Sequence, residues 1–202
     1  MTSDAGQHSA LLLVDVQNDF CTGGALAVPN SERVVAALNR HIAAAEERGC
    51  PVYASRDWHP ARTTHFKAYG GRWPVHCVQN TTGAAFHPAL RLPAGAIVVT
   101  KGARADDHGY SAFEGSTVTG ETLAADLRRR GVTHLYVGGL ATDYCVRASV
   151  LDALDAGLRV TVLGDAIAGV DVNAGDSERA RAEMQARGAT FEEDEAGASP
   201  HE

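Results

Sequence analysis

The run Ala10-Leu-Leu-Leu-Val-Asp-Val constrains this chain more than any other stretch. Its near-continuous apolar character is that of a strand covered on both faces, as in the interior of a parallel sheet. It also carries a carboxylate, Asp15, which is costly to bury unless it is paired or hydrogen-bonded. Similar apolar runs recur at Pro51-Val-Tyr-Ala-Ser, Ala96-Ile-Val-Val-Thr-Lys, His134-Leu-Tyr-Val-Gly and Arg159-Val-Thr-Val-Leu, with Ala189-Thr-Phe as a short sixth. Stretches of helical spacing alternate with them: Ser31 with Arg33 to Glu47, Gly120 to Arg130, Asp143 to Ala156 and Ala174 to Arg187. Asn30 or Ser31 is expected to cap the first, Thr142 or Asp143 the third. Gly49, Gly131, Gly157 and Gly188 follow the ends as stop signals. The alternation predicts an α/β fold: a three-layer α/β/α sandwich whose mostly parallel, doubly wound sheet has about six strands.

A chain of 202 residues fits a single domain. Phe20 to Asn30 and Gly102 to Thr119 read as Gly-containing loops. Residues 56–93 form a longer loop, and one of that length inside a compact domain is usually functional or disordered. Its Trp, His and Phe content argues against a linker. The acidic tail, 192–202, is expected to fray. A net charge of -7 with no basic tract argues against nucleic acid or anionic membrane as partners. Arg128-Arg-Arg, the one cationic run, ends a predicted helix and complements its dipole. No apolar run approaches the length of a membrane span, and the N-terminus does not read as a signal peptide. The four cysteines, Cys21, Cys50, Cys77 and Cys145, show no CxxC pairing. A reducing cytoplasm is the expected compartment.

In open parallel sheets ligands bind beyond the carboxyl ends of the strands. Asp15 closes the first strand and Lys101 the third. Cys145 follows the fourth in the first helical turn, where amides and dipole lower a thiol pKa. An Asp15–Lys101 pair could merely fix packing, and Cys145 could be a small buried hydrophobe. Together, base, cation and thiol form an activated-nucleophile set. Asp57-Trp-His59 places two ligand-capable side chains on one side of an extended segment, and His65 and His76 return from the same loop. Carboxylate plus imidazoles suits zinc, manganese or iron. His8, His41, His87, His108, His134 and His201 read as ordinary surface histidines.

These residues fall in motifs that resemble the nicotinamidase/pyrazinamidase branch of the isochorismatase-like cysteine hydrolases. The resemblance spans about Leu11 to Val172. It is carried by Val14-Asp-Val-Gln-Asn-Asp-Phe-Cys, Asp57-Trp-His-Pro with His65-Phe, Trp73-Pro-Val-His-Cys, Phe86-His-Pro, Lys101-Gly, Tyr110-Ser-Ala-Phe-Glu-Gly and Gly139-Leu-Ala-Thr-Asp-Tyr-Cys-Val. It implies one isochorismatase-like hydrolase domain, with 56–93 as the metal- and substrate-binding loop. It implies Asp15, Lys101 and Cys145 as the catalytic triad, and one divalent ion, zinc first and manganese or iron as alternatives, on Asp57, His59, His65 and His76. Some members use only three of these ligands, and His65 is the one left open. It further implies a cis peptide at Leu140–Ala141 and an oxyanion hole from the amides of Ala141 and Cys145. Phe20, Trp73, Tyr110 and Leu140 match substrate-binding positions. The implied reaction is hydrolysis of nicotinamide, and of pyrazinamide, through a cysteine thioester, in NAD salvage. Alternatives are a related amidase for another small heteroaromatic or carbamoyl substrate, a hydrolase using metal-activated water with Cys145 inert, and a non-catalytic binding module. A homo-oligomer is compatible with the sequence. The native metal and the role of Tyr144 stay open.

Overall fold

The computed structural model describes residues 8–193. Its strands are β1 (Ser9–Val14), β2 (Val52–Asp57), β3 (Ile97–Lys101), β4 (Ser116–Thr117), β5 (His134–Leu140), β6 (Arg159–Ala168) and β7 (Thr190–Glu192). They form one seven-stranded sheet in the order β4-β3-β2-β1-β5-β6-β7. Every pairing is parallel except β3–β4. The helices are α1 (Ser31–Glu47), α2 (Leu123–Arg129), α3 (Arg147–Asp155) and α4 (Asp176–Ala186).

All of β1 is buried, and its side chains alternate between the two faces. Leu11 and Leu13 pack with Val34, Val35, Leu38 and Ile42 of α1. Ala10, Leu12 and Val14 pack on the opposite face with Leu123 and Leu127 of α2, Val150 and Ala153 of α3 and Met184 of α4. Each fully buried leucine or valine contributes about 1.5–3 kcal/mol relative to exposure. Two covered faces are what hold the charged ends of these strands in a dry interior. Among the described residues, no helix is long and apolar enough to cross a membrane.

The sheet has seven strands, against about six expected. The extra one, β4, is an antiparallel edge pair of residues inside the expected 102–119 loop, too short to carry a periodic signal. β6 runs on to Ala168, past Leu163, with a register irregularity opposite Val137/Gly139. Arg56 and Asp57, expected in the loop, complete β2 by pairing with Thr100 and Lys101. Asn30 occupies the α1 cap with left-handed backbone and makes no side-chain cap bond, while Ser31 Oγ accepts the Thr22 N–H at 3.1 Å. The expected helix from Asp143 begins as a π-turn, Thr142–Val146, capped by neither Thr142 nor Asp143. The Asp143 carboxylate instead accepts the N–H groups of Val170 and Asp171 at 3.0 and 2.8 Å. Arg129 and Arg130 of the cationic run pair with Asp126. Of the expected frayed tail, Glu192 belongs to β7, and residues from 194 on lie outside the described residues.

Candidate active site

Neighbouring parallel strands bring their carboxyl ends to one edge. β3, β2, β1 and β5 are adjacent, so Lys101, Asp57, Asp15 and the turn after Leu140 arrive together. Asp15 takes φ 50° and turns the chain off the sheet. Its carboxylate accepts the Ser55 hydroxyl at 2.7 Å.

Lys101 is the hub. Its ammonium lies 2.7 Å from Asp15 Oδ2, pairs closely with Asp57 Oδ1 and donates to the Gly109 carbonyl at 2.5 Å. Cys145 Sγ is 3.6 Å away. Burial works against this cation, but Asp15 and Asp57 outweigh it and hold its pKa well above the usual lysine value. Two carboxylates then share one ammonium, and their environments drive them apart. For Asp15, burial dominates over Lys101, with Asp57 adding to it, and the pKa is raised. For Asp57, burial also pushes upward, but Lys101 reverses it and the carboxyl is held well below its ordinary range.

Cys145 sits in the π-turn that follows β5. The Leu140–Ala141 peptide is cis. The N–H groups of Tyr144 and Val146 both reach the Ala141 carbonyl at 3.1 Å, and the Cys145 amide lies between them in the same first turn. Gly139, at φ 130°, lets β5 pass β1; a Cβ there would lie 2.2 Å from the Val14 carbonyl oxygen. The thiol corrects one expectation. Burial, opposed by Lys101 and reinforced by Asp15 and Asp57, pushes its pKa well above the ordinary value, where a lowered one was expected. The turn amides and one ammonium do not offset burial beside two carboxylates, so the resting sulfur carries its proton.

Beside this floor stands a wall of imidazoles. The ligand-capable atoms of His59, His65 and His76 lie within 4.8 Å of one another. His59 and His65 rings stack at 4.5 Å, and His76 meets His59 edge-on at 5.1 Å. His59 Nδ1 is held by the Gly102 carbonyl at 3.1 Å, and His76 Nδ1 by the Pro74 carbonyl at 2.8 Å. A carbonyl only accepts, so each Nδ1 carries a proton and, in the neutral ring, Nε2 keeps its lone pair. Gly102 is obligatory for this, since its φ is 64° and a Cβ would lie 2.6 Å from His59 Cε1. Burial pushes His65 down to about 3 and lowers His76, so both are neutral ligands at neutral pH. Asp57 Oδ2 faces these lone pairs, 3.4 Å from His59 Nε2 and 3.9 Å from His76 Nε2. His59 Nε2 is buried without a hydrogen-bond partner. Lone pairs converging on a carboxylate oxygen repel unless a cation lies among them. The donor set therefore fits a divalent metal.

A pocket opens over both parts. Cys145 and Ala141 reach it, as do His65, His76 and the expected wall residues Phe20, Trp73, Tyr110 and Leu140. Asp15 and Lys101 lie buried beneath. Trp73 Nε1 donates to Tyr110 OH at 2.9 Å, and Tyr144 packs edge-on against Trp73 at 4.8 Å. Tyr144 and Val170 join the lining, Val170 held there by Asp143. The carbonyls of Gly102, Gly109 and Pro74, and the side chains of Ser55 and Gln17, carry no metal or nucleophile signature of their own. Gln17 alone had a sequence signal: an amide directly beyond a buried strand, two positions from Asp15.

The model of the isochorismatase domain matches residues 9–195. The chain belongs to the isochorismatase family. Among curated relatives, a nicotinamidase of Escherichia coli (strain K12) is 45% identical over 198 residues, covering 90% of this chain and 93% of the relative. A nicotinamidase/pyrazinamidase of Mycobacterium tuberculosis is 43% identical over 167 residues, covering 81% of this chain and 88% of the relative. Among solved structures, a pyrazinamidase of Pyrococcus horikoshii in complex with zinc superposes with a TM-score of 0.85 at 43% identity. It covers 93% of this chain and 99% of its own. The likeness thus extends from sequence to fold over nearly the whole chain.

Proposed function

We propose that this chain is an amidohydrolase that converts nicotinamide to nicotinate and ammonia through a thioester on Cys145. The observation that carries the reading is one lysine, Lys101, set 2.7 Å from Asp15 and 3.6 Å from the Cys145 sulfur under a pocket walled by imidazoles and aromatic rings. Relatives named nicotinamidase and nicotinamidase/pyrazinamidase at 45% and 43% identity support the substrate class. Pyrazinamide is a second substrate on the same grounds, and the reaction belongs to pyridine nucleotide salvage.

In the proposed sequence, Asp15 takes the Cys145 proton. Its raised pKa makes it the stronger base for a thiol that is itself raised. Lys101 stabilises the thiolate as it forms. The sulfur adds to the carboxamide carbonyl, and the new oxyanion receives the amides of Ala141 and Cys145. Asp15 returns its proton to the amide nitrogen, the C–N bond breaks, and ammonia leaves a nicotinoyl thioester. A water molecule gives a proton to Asp15 and its oxygen to the acyl carbon. The C–S bond breaks, the sulfur regains the proton, and nicotinate departs. Phe20, Trp73, Tyr110 and Tyr144 hold the ring and keep bulk water out.

Asp57, His59, His65 and His76 would hold one divalent ion. Zinc is the proposed metal, from the carboxylate–imidazole set and from the zinc complex of the P. horikoshii pyrazinamidase. When bound, it supplies a Lewis acid for the pyridine nitrogen, directly or through water. Cys145→Ala tests the nucleophile: ammonia release from nicotinamide should fall by about 10⁴-fold or more, as when a catalytic triad loses a member. Nicotinate binding, followed by calorimetry, should survive. Ammonia release within about tenfold of the parent rate would remove Cys145 from the mechanism.

A further inference from the structure

Gln17 is fully buried, and every hydrogen-bonding group of its carboxamide is used. Its Oε1 accepts the Asp57 N–H at 2.8 Å, and its Nε2 donates to the Asp57 carbonyl at 2.8 Å and to the Ala84 carbonyl at 2.8 Å. The chain path explains why these bonds are needed. β1 and β2 keep register as far as Leu13 and Ala54, and the Asp15 N–H still reaches the Ser55 carbonyl at 3.3 Å before β1 turns away at Asp15. β2 continues to Asp57, paired with Lys101 on its β3 side alone. On the other side the Asp57 peptide groups would be buried and bare, at a cost in free energy for each. The Gln17 side chain stands in for the missing strand: one planar amide pairs the N–H and the C=O of one residue, as a strand neighbour would. Its second N–H ties Ala84, in the loop that brings His76 back, to the same point.

We infer that Gln17 is a positioning residue that acts through Asp57, fixing its carboxylate so that Oδ1 meets Lys101 while Oδ2 meets the histidines. The inference rests on the metal reading given above. Only an amide satisfies the three partners. A glutamate of the same shape would set carboxylate oxygens against two carbonyls, and a methionine would leave all three backbone groups unpaired. Residues that orient a ligand without touching the metal characteristically change affinity 10–100-fold when replaced.

The test is titration of the metal-stripped full chain with Co²⁺, read by its visible d–d absorption, in the parent, Gln17→Met, Gln17→Glu and Asn18→Ala. Asn18 donates to the Thr82 carbonyl at 2.8 Å from the same segment without touching Asp57. The expected result is Co²⁺ binding at least tenfold weaker with displaced d–d bands in both Gln17 variants, cooperative melting kept, and Asn18→Ala matching the parent. Unchanged affinity and bands in the Gln17 variants would overturn the inference, as would equal weakening by Asn18→Ala. If neither Gln17 variant folds, it is also overturned, because Gln17 would then hold the fold rather than one carboxylate. A parent that binds no Co²⁺ would defeat the metal reading itself, a different result from a parent that binds and variants that bind alike.

Discussion

The floor of the pocket and its histidine wall meet at Asp57 and are built on opposite plans. The floor buries charge and balances it internally: Asp15 and Asp57 close on Lys101, with Ser55 and Gly109 taking further hydrogen bonds. The wall buries imidazoles and leaves His59 Nε2 without a hydrogen-bond partner. A floor with its own counter-charge is complete as soon as the chain folds. A wall of lone pairs is complete only when a cation joins it. On the proposed function, reactivity would be written into the fold, and selection of the substrate ring would await that cation.

The strongest way to break this comparison is Lys101→Met. It leaves two buried carboxylates without a counter-charge, a change that costs about 3–5 kcal/mol when one partner of a buried pair is removed. Urea unfolding should register that loss, and ammonia release should fall by about 10³-fold or more as the thiolate loses its cation. A cost below about 1 kcal/mol would mean that the floor is not charge-balanced by Lys101. By contrast, His76→Ala in metal-stripped protein should leave unfolding within about 1–2 kcal/mol of the parent. Co²⁺ affinity should meanwhile drop by at least about 10–100-fold. Loss of stability without loss of affinity would make the wall structural.

Acid separates the two parts more finely. A histidine whose folded pKa is lowered binds fewer protons in the folded state, so unfolding takes up protons and stability falls as pH falls. With His65 pushed down to about 3 and His76 lowered by burial, the wall should begin to cost stability below the unfolded-state value near 6.5. That loss continues toward 3 at no more than about 1.4 kcal/mol per pH unit for each histidine. Asp57, held low, contributes stability above its unfolded value near 3.9, which is lost only at lower pH. Denaturation of metal-stripped protein at stepped pH should show the histidine loss first. His65→Asn should flatten it, and an unchanged slope would place His65 outside the buried set. The smallest effect belongs to Trp73→Phe, which removes the hydrogen bond to Tyr110. KM for nicotinamide should rise about 2–10-fold with kcat little changed, the equivalent of one ordinary hydrogen bond.

Much of this was legible in the chain itself. The apolar runs with Asp15 and Lys101 at their ends dictated a buried parallel sheet, because alternation of strand and helix has few other solutions. Cys145 in the turn after a strand and the Asp57-x-His59 spacing marked the candidate site, because a helix start suits a thiolate and a spacing of two puts both ligand-capable side chains on one side. β4 and the π-turn were not legible, since two residues carry no period and a five-residue π-turn is too short to show a period distinct from that of the helix it opens. The roles of Gly102, Gly109 and Pro74, and the partners of Gln17, were hidden for another reason. They act through backbone groups or through a partner distant in sequence, and no local pattern records which carbonyl a folded chain brings near. The sequence by itself determined which reactive groups exist and which strands deliver them. Only the tertiary structure decided that one ammonium serves two carboxylates, that burial keeps the thiol protonated, and that one amide replaces a strand. Pairing and desolvation are set by distances across the sheet, and those exist only once the chain has folded.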